Sequence, residues 1–101
     1  MTILGSGLLS SSYVQPVLSA TVYEDINFQG NSKELLPGNY DLEQMGVAND
    51  SISSLKVSPG LKITLYEHIG YGGGSKTFTS DAAYVGDDFN NRASSIKVEF
   101  V

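Results

Sequence analysis

The sequence contains the same pair of motifs twice. Residues 23–30 (YEDINFQG) are followed by residues 49–54 (NDSISS), and the pair recurs at residues 66–73 (YEHIGYGG) and 90–95 (NNRASS). The copies stand roughly 40 residues apart and keep their order and internal spacing. Two copies are too few for a solenoid. The repeat therefore predicts one small domain in which two supersecondary motifs pack with approximate twofold symmetry.

The composition of the chain excludes several classes of function. The chain has 101 residues, no cysteine and a formal net charge of −5, with six Lys and Arg in total. Without cysteine it has no disulfide, thiolate metal site or cysteine nucleophile. So few basic residues leave no stripe for a phosphate backbone, and we expect no nucleic-acid partner. No segment reaches the ~18 consecutive apolar residues of a membrane span, so we expect a soluble protein with no membrane partner. We also expect a monomer.

Residues 1–19 differ from the rest of the chain. They lack the periodicity of a helix or a strand, and we interpret them as an extension or linker. A secretory signal is not predicted, because this segment has no Lys or Arg and its apolar residues are interrupted by Gly5 and Gly7. The predicted domain is residues 20–101, with motif one at 20–58 and motif two at 61–101.

Short strands and turns dominate the predicted domain. Ile96, Val98 and Phe100 alternate with polar residues, as do the apolar residues of segment 62–65, which predicts half-buried strands. Further strands are predicted at 21–24, 33–36, 53–57 and 76–79, with one helical turn at 42–45. Turn residues occupy 37–39 and 59–60, and the second turn is the predicted link between motifs. The predicted fold is all-β, an antiparallel β-sandwich of two Greek-key motifs.

Each hairpin motif combines two aromatic residues with a glycine. The glycine can adopt a positive φ while the aromatic rings cover the folded hairpin, so we predict a structural role for all six residues. They are Tyr23, Phe28 and Gly30 in the first copy and Tyr66, Tyr71 and Gly73 in the second.

These motifs, taken together, resemble those of the βγ-crystallin family. Segment 20–101, with two hairpin motifs and a serine downstream of each, is similar to one double-Greek-key domain of that family. Both NDSISS and NNRASS fit the family's calcium pattern of two Asn or Asp residues, two variable positions, Ser or Thr, and Ser. Lens members have mostly lost this pattern and microbial members usually keep it. The resemblance therefore implies a microbial-type domain that binds two Ca²⁺ ions.

The resemblance also implies which residues hold the ions. Calcium takes six to eight oxygen ligands, and these loops offer side-chain and backbone oxygens. The implied ligands are side-chain oxygens of Asp50 and Asn91, backbone carbonyls of Ser51 and Arg92, hydroxyls of Ser53 and Ser94, and a backbone carbonyl of Glu24 or Glu67. Which hairpin serves which ion stays open. We expect Asn49 and Asn90 to brace the loops, and the hydroxyls of Ser54 and Ser95 to bond across to the facing hairpins.

The two predicted sites are not equivalent. The first loop offers the charged Asp50, whereas the second offers the neutral Asn91 and places Arg92 at a carbonyl-donating position. We therefore expect two sites of micromolar to sub-millimolar affinity, the first tighter, whose occupancy stabilises the fold.

Two other interpretations are open. Asn, Asp and Ser are also ordinary loop formers, and the domain could instead recognise a carbohydrate or a protein within a larger microbial protein, with calcium only structural. An enzyme is not predicted, because His68 is the only histidine and no catalytic dyad is evident. An extracellular or cell-surface location is favoured.

Overall fold

Seven short strands make up the regular structure in the computed structural model of the protein, which describes residues 18–41 and 51–101. A 3₁₀ turn, Ile69–Tyr71, joins the fifth strand to the sixth. In chain order the strands are β1 (Ala20–Asp25), β2 (Gln29–Leu35), β3 (Gly38–Tyr40), β4 (Ser54–Val57), β5 (Leu61–His68), β6 (Gly72–Phe78) and β7 (Ser95–Phe100). The predicted extension up to residue 17 and the predicted helical turn at 42–45 lie outside the described residues.

The strands form two antiparallel sheets that exchange segments between the motifs. One sheet has the order β2-β1-β4 and the other β3-β7-β5-β6. β3 belongs to motif one by sequence but pairs with β7 of motif two, with Tyr40 opposite Ile96. In return, Ala82 of motif two bridges Leu55 in β4. The two motifs therefore interlock, as expected for a sandwich of two Greek keys, and the predicted fold class is confirmed.

The core lies between the two sheets. Its members come from alternate positions of β1, β4, β5 and β7, as the period of two along a strand requires, from the last position of β2, and from the segments that precede β4 and β7. The fully buried side chains include Val22, Leu35, Ile52, Leu55, Leu61, Ile63, Leu65, Val85, Ile96 and Val98. The predicted turn at residues 59–60 is confirmed: Leu61 N–H donates to the Ser58 carbonyl (3.1 Å), and Gly60 has φ +93°.

Two details of the predicted strands are wrong. Residues 37–39 were assigned to a turn by their Pro, Gly and Asn, but Gly38–Tyr40 forms β3, because its hydrogen-bonding partner is β7 of the other motif. Phe100 lies on the same strand face as Ile96 and Val98 but is not buried with them. It is 64% exposed, because it occupies the last position of β7, beyond the part of the face that the core covers.

Candidate metal centre

Each hairpin is closed by a pair of aromatic rings. The Tyr23 and Phe28 ring centroids lie 5.8 Å apart at an interplanar angle of 71°, and those of Tyr66 and Tyr71 lie 5.8 Å apart at 78°. Both pairs have the edge-to-face geometry that aromatic quadrupoles favour. Their predicted structural role is confirmed.

A glycine allows each hairpin to fold back on itself. Gly30 has φ +80° and Gly73 has φ +75°, in the left-handed region that L side chains rarely adopt. A Cβ atom at Gly30 would lie 2.7 Å from Asp25 Oδ2, and one at Gly73 would lie 2.4 Å from His68 Cδ2. Both positions therefore favour glycine for their conformation, and a larger residue would also have to displace the neighbouring side chain of Asp25 or His68.

In the first hairpin, hydrogen bonds fix the backbone on both sides of Glu24. The Tyr23 carbonyl accepts a hydrogen bond from the Ser53 N–H (2.9 Å), and the Asp25 carbonyl accepts one from the Ser54 hydroxyl (2.5 Å). The chain on both sides of Glu24 is thus tied to the residues that end the NDSISS loop. These contacts fix the position of the first hairpin against its loop.

The second hairpin repeats this arrangement around Glu67. The Tyr66 carbonyl accepts a hydrogen bond from the Ser94 N–H (2.8 Å), and the His68 carbonyl accepts one from the Ser95 hydroxyl (2.7 Å). The predicted bonds from the final serines of both loops to the facing hairpins are therefore confirmed.

Oxygen atoms from both motifs meet in a first surface depression. The Ser53 hydroxyl lies 2.6 Å from Asn90 Oδ1 and 3.2 Å from Asn91 Oδ1. Asn91 has φ +58°, and its N–H donates to the Ile52 carbonyl (3.1 Å), which ties the NNRASS loop to the NDSISS loop. The depression is lined by Glu24, Asp25, Ile26, Ser51, Ser53, Asn90 and Asn91.

A second depression lies beside the other hairpin and shares Asn91 with the first. It is lined by Glu67, His68, Asn91, Arg92 and Ser94. The Arg92 guanidinium is 4.0 Å from the Glu67 carboxylate, and the two side chains are 59% and 34% exposed. A cation held here would share the depression with this guanidinium, whereas the described lining of the first depression contains carboxylates and no basic residue.

The predicted ligand residues separate into two groups. Glu24, Ser51, Ser53 and Asn91 line the first depression, and Glu67, Arg92 and Ser94 line the second, so each hairpin faces the loop of its own motif. Asn91 lines both depressions, and its Oδ1 lies 3.2 Å from the Ser53 hydroxyl of the other loop. Asp50 lies outside the described residues.

Three lining residues were not predicted, namely Ile26 and the two ionisable residues Asp25 and His68. Asp25 and His68 each stand two residues after the hairpin tyrosine and next to a predicted carbonyl ligand. This shared position in the two repeats was the sequence signal that could have identified both residues. It also shows that the two depressions differ in charge: the first contains Asp25 where the second contains His68.

The donor atoms suit a hard cation. Within residues 18–41 and 51–101, no three His, Cys, Asp or Glu side chains come together as a metal cluster. The atoms that converge in the first depression are instead amide and hydroxyl oxygens, and carboxylate residues line the same depression, which is an oxygen set that calcium accepts and zinc does not favour.

Three groups outside the depressions have shifted pKa values. The hydrogen bond from Lys76 lowers the pKa of Asp88. The hydrogen bond to Asp87 raises the pKa of Tyr84, and burial, followed by the negative charge of Asp41, raises the pKa of Tyr71.

The fold and the paired depressions together define a double-Greek-key β-sandwich domain with two oxygen-lined loop sites. Solved structures of this class match the chain closely. A βγ-crystallin domain from Clostridium beijerinckii is 42% identical, with a TM-score of 0.78, over 80% of this chain and 97% of that one. A βγ-crystallin domain from Flavobacterium johnsoniae is 38% identical, with a TM-score of 0.78, over 80% of this chain and 93% of that one.

The N-terminal domain of protein S is 40% identical, with a TM-score of 0.78, over 82% of this chain and 97% of that one. The chain belongs to the βγ-crystallin family. No family model matches the sequence, and no curated protein matches it significantly. The described residues contain no helix of the length and apolar character needed to cross a membrane.

Proposed function

We propose that this domain binds two calcium ions and that the bound ions stabilise the docking of its two motifs. The observation that carries the proposal is the approach of the Ser53 hydroxyl, from motif one, to Asn91 Oδ1, from motif two, at 3.2 Å. An ion coordinated by both atoms would link the motifs directly. The repeated Asn/Asp and Ser pattern supports a second, related site.

The first ion would be held by the Asn91 side chain, the Ser53 hydroxyl and backbone carbonyls of Glu24 and Ser51. The carboxylate of Asp25 lies in the same depression and adds negative potential. Few of these ligands are formal anions, so the expected affinity is that of calcium modules in the micromolar to sub-millimolar range.

The second ion would be held by the Ser94 hydroxyl and the backbone carbonyls of Glu67 and Arg92. Asp50 occupies the position in the first loop that Asn91 occupies in the second, and it is the side-chain ion ligand that we propose the first loop contributes. Because Arg92 brings a positive charge to this depression, the second site is proposed to be the weaker one.

Calcium that binds the folded state alone would stabilise the domain by mass action. One site contributes about 2.7 kcal/mol at a free calcium concentration one hundred times the dissociation constant. This is a large fraction of the roughly 5–15 kcal/mol typical of a domain. The proposed role is structural and requires no catalysis, and His68, the only histidine, is exposed at the end of β5.

The test is a calorimetric calcium titration of metal-stripped protein, paired with melting curves in calcium and in chelator. Wild type should release heat for two sites and melt at a higher temperature in calcium. Ser53→Ala should remove the first binding event and Ser94→Ala the second, while each keeps the other. Ser80→Ala, at an exposed position, is the matched control and should retain both.

Absence of heat and of a melting shift in the wild type would refute the proposal. A single nanomolar site would contradict the expected ligand set, because few formal anions are available. A calcium-dependent melting shift that survives in the Ser53→Ala, Ser94→Ala double variant would place the ions elsewhere.

A further inference from the structure

The turns of the two hairpins are held by equivalent hydrogen bonds with different acceptors. In the first hairpin, the Asn27 N–H donates to the Ala83 backbone carbonyl at 2.9 Å. Its counterpart in the second hairpin, the Gly70 N–H, donates instead to the two carboxylate oxygens of Asp41, at 3.0 and 3.1 Å. Each turn is thus fixed by the opposite motif, but the second turn depends on a side chain.

Apart from the Tyr71 ring, which packs on Tyr66, the second turn has little other packing. None of its three residues is buried, and Ile69 is 62% exposed. Gly70 has φ +68°, and a Cβ atom placed on it would meet nothing within 4 Å. Since glycine is the residue with the least conformational restriction, external hydrogen bonds must hold this backbone in place. The Asp41 carboxylate supplies one, and the Ser95 hydroxyl accepts the next N–H, that of Tyr71, at 3.0 Å.

Asp41 reaches the turn because of the strand exchange between motifs. It directly follows β3, whose last residue, Tyr40, pairs with Ile96 in β7, so the chain is directed toward Ser95 and the end of β5. Asp41 is half-buried, and its hydrogen bond is charge-assisted, a stronger kind than one between neutral groups. Its charge also acts on Tyr71, the residue after Gly70.

We propose that Asp41 is a positioning residue for the second calcium site. Its carboxylate holds the turn that follows Glu67. It thereby holds the Glu67 backbone next to Tyr66, whose carbonyl accepts the Ser94 N–H. Asp41 is not among the residues that line the second depression, so it acts through Gly70 rather than on the ion. The inference rests on the proposed calcium binding and assigns to motif one a residue that serves the hairpin of motif two.

The experiment is a calcium titration followed by amide NMR resonances, which report the two sites separately, on the full chain. Asp41→Ala should weaken the second site about five- to tenfold, toward the lower end of effects seen for groups that orient metal ligands. The first site should change less than about twofold. Asp41→Asn keeps an oxygen acceptor for Gly70 and should stay within about threefold of wild type at both sites.

Glu99→Gln is the charge-matched control. Glu99 is exposed and pairs with Lys62 near the opposite end of β5, so it should leave both affinities unchanged. If Asp41→Ala does not fold, Asp41→Ser, whose hydroxyl is one bond too short for the same contact, takes its place in the comparison.

Several results would overturn the inference. Equal weakening of both sites by Asp41→Ala would indicate general destabilisation, and an unchanged second site would remove any positioning role. If Asp41→Asn weakened the second site as much as Asp41→Ala does, the effect would be due to the charge of Asp41 and not to its hydrogen bond. A wild type that binds no calcium refutes the proposed function itself, whereas two intact sites in Asp41→Ala refute this inference alone.

Discussion

Ser54→Ala removes one hydroxyl that joins two backbone groups of the first hairpin. Ser54 is fully buried, and its Oγ accepts a hydrogen bond from the Phe28 N–H at 3.0 Å and donates one to the Asp25 carbonyl at 2.5 Å. Alanine fits the same space but offers neither bond. Both backbone groups then lose a partner in a region where water has limited access.

The expected cost follows from these two groups. A buried donor or acceptor left unsatisfied costs about 1–3 kcal/mol, and both groups are only partly buried, so the loss should be about 2–4 kcal/mol in total. For a domain of this size, 1 kcal/mol corresponds to roughly 4–8 °C in melting temperature. Ser54→Ala should therefore melt at least about 8 °C below the wild type.

The assay is urea unfolding and thermal melting in chelator, so that calcium does not contribute. Ser95→Ala removes the equivalent bridge between Tyr71 and His68 in the second hairpin and should cost a similar amount. Ser80→Ala, at an exposed position, is the control and should change stability by less than about 0.5 kcal/mol. A Ser54→Ala cost no larger than that of the control would refute the reasoning, because the bridge would then contribute nothing.

Three further predictions concern other parts of the domain. Gly73→Ala should destabilise the fold by more than the roughly 1–2 kcal/mol that a left-handed backbone costs alanine, because its Cβ atom also meets the His68 ring. In a His68→Ala background only the cost of the ring contact should be recovered, and urea unfolding of the double variant would measure this. Arg92→Gln should tighten the second calcium site about two- to tenfold at low salt, since an exposed unit charge near a divalent ion is worth about 1 kcal/mol, and calorimetry at high salt should show a smaller gain. The hydrogen bond from Lys76 lowers the pKa of Asp88 in the folded state. The stabilisation from this hydrogen bond is therefore fully present above the unfolded pKa of Asp88, about 4, and is lost as the pH falls through the folded pKa. Acid unfolding curves should show that the stability difference between wild type and Asp88→Asn shrinks as the pH falls.

The sequence predicted best those features whose residues lie close together within one repeat. The aromatic pair, the positive-φ glycine and the serine bridge are each set by a short spacing, and the second copy checks the first. β3 was missed because Gly38–Tyr40 has no alternation of polar and apolar residues. It is a strand because β7, nearly 60 residues later in the chain, supplies its hydrogen bonds, and single-sequence periodicity carries no information about such a partner.

In the candidate sites, too, contacts between residues far apart in the sequence could not be predicted. The pattern identified the residue types, but it left open which hairpin serves which ion and which oxygens of the two loops meet. Only the docking of one loop on the other brings Asn91 Oδ1 to the Ser53 hydroxyl. The role of Asp41 could not be predicted for a related reason: its partner, Gly70, lies in the other motif, and the sequence around an aspartate at the end of a short strand carries no sign of such a contact.

The exchange of elements between motifs connects fold, stability and the proposed ion binding. β3 completes the sheet of motif two, Ala82 extends the sheet of motif one, and Asp41 fixes the turn beside the second depression. The hydroxyl of Ser53 meets its amide partner only when the motifs are docked. A ligand that requires both loops therefore binds the docked state and not the separated motifs, so its binding free energy adds directly to the free energy of docking. In a domain of this size, an ion of even modest affinity would then have a substantial effect on folding, because it acts on the same interface that the exchanged strands already hold.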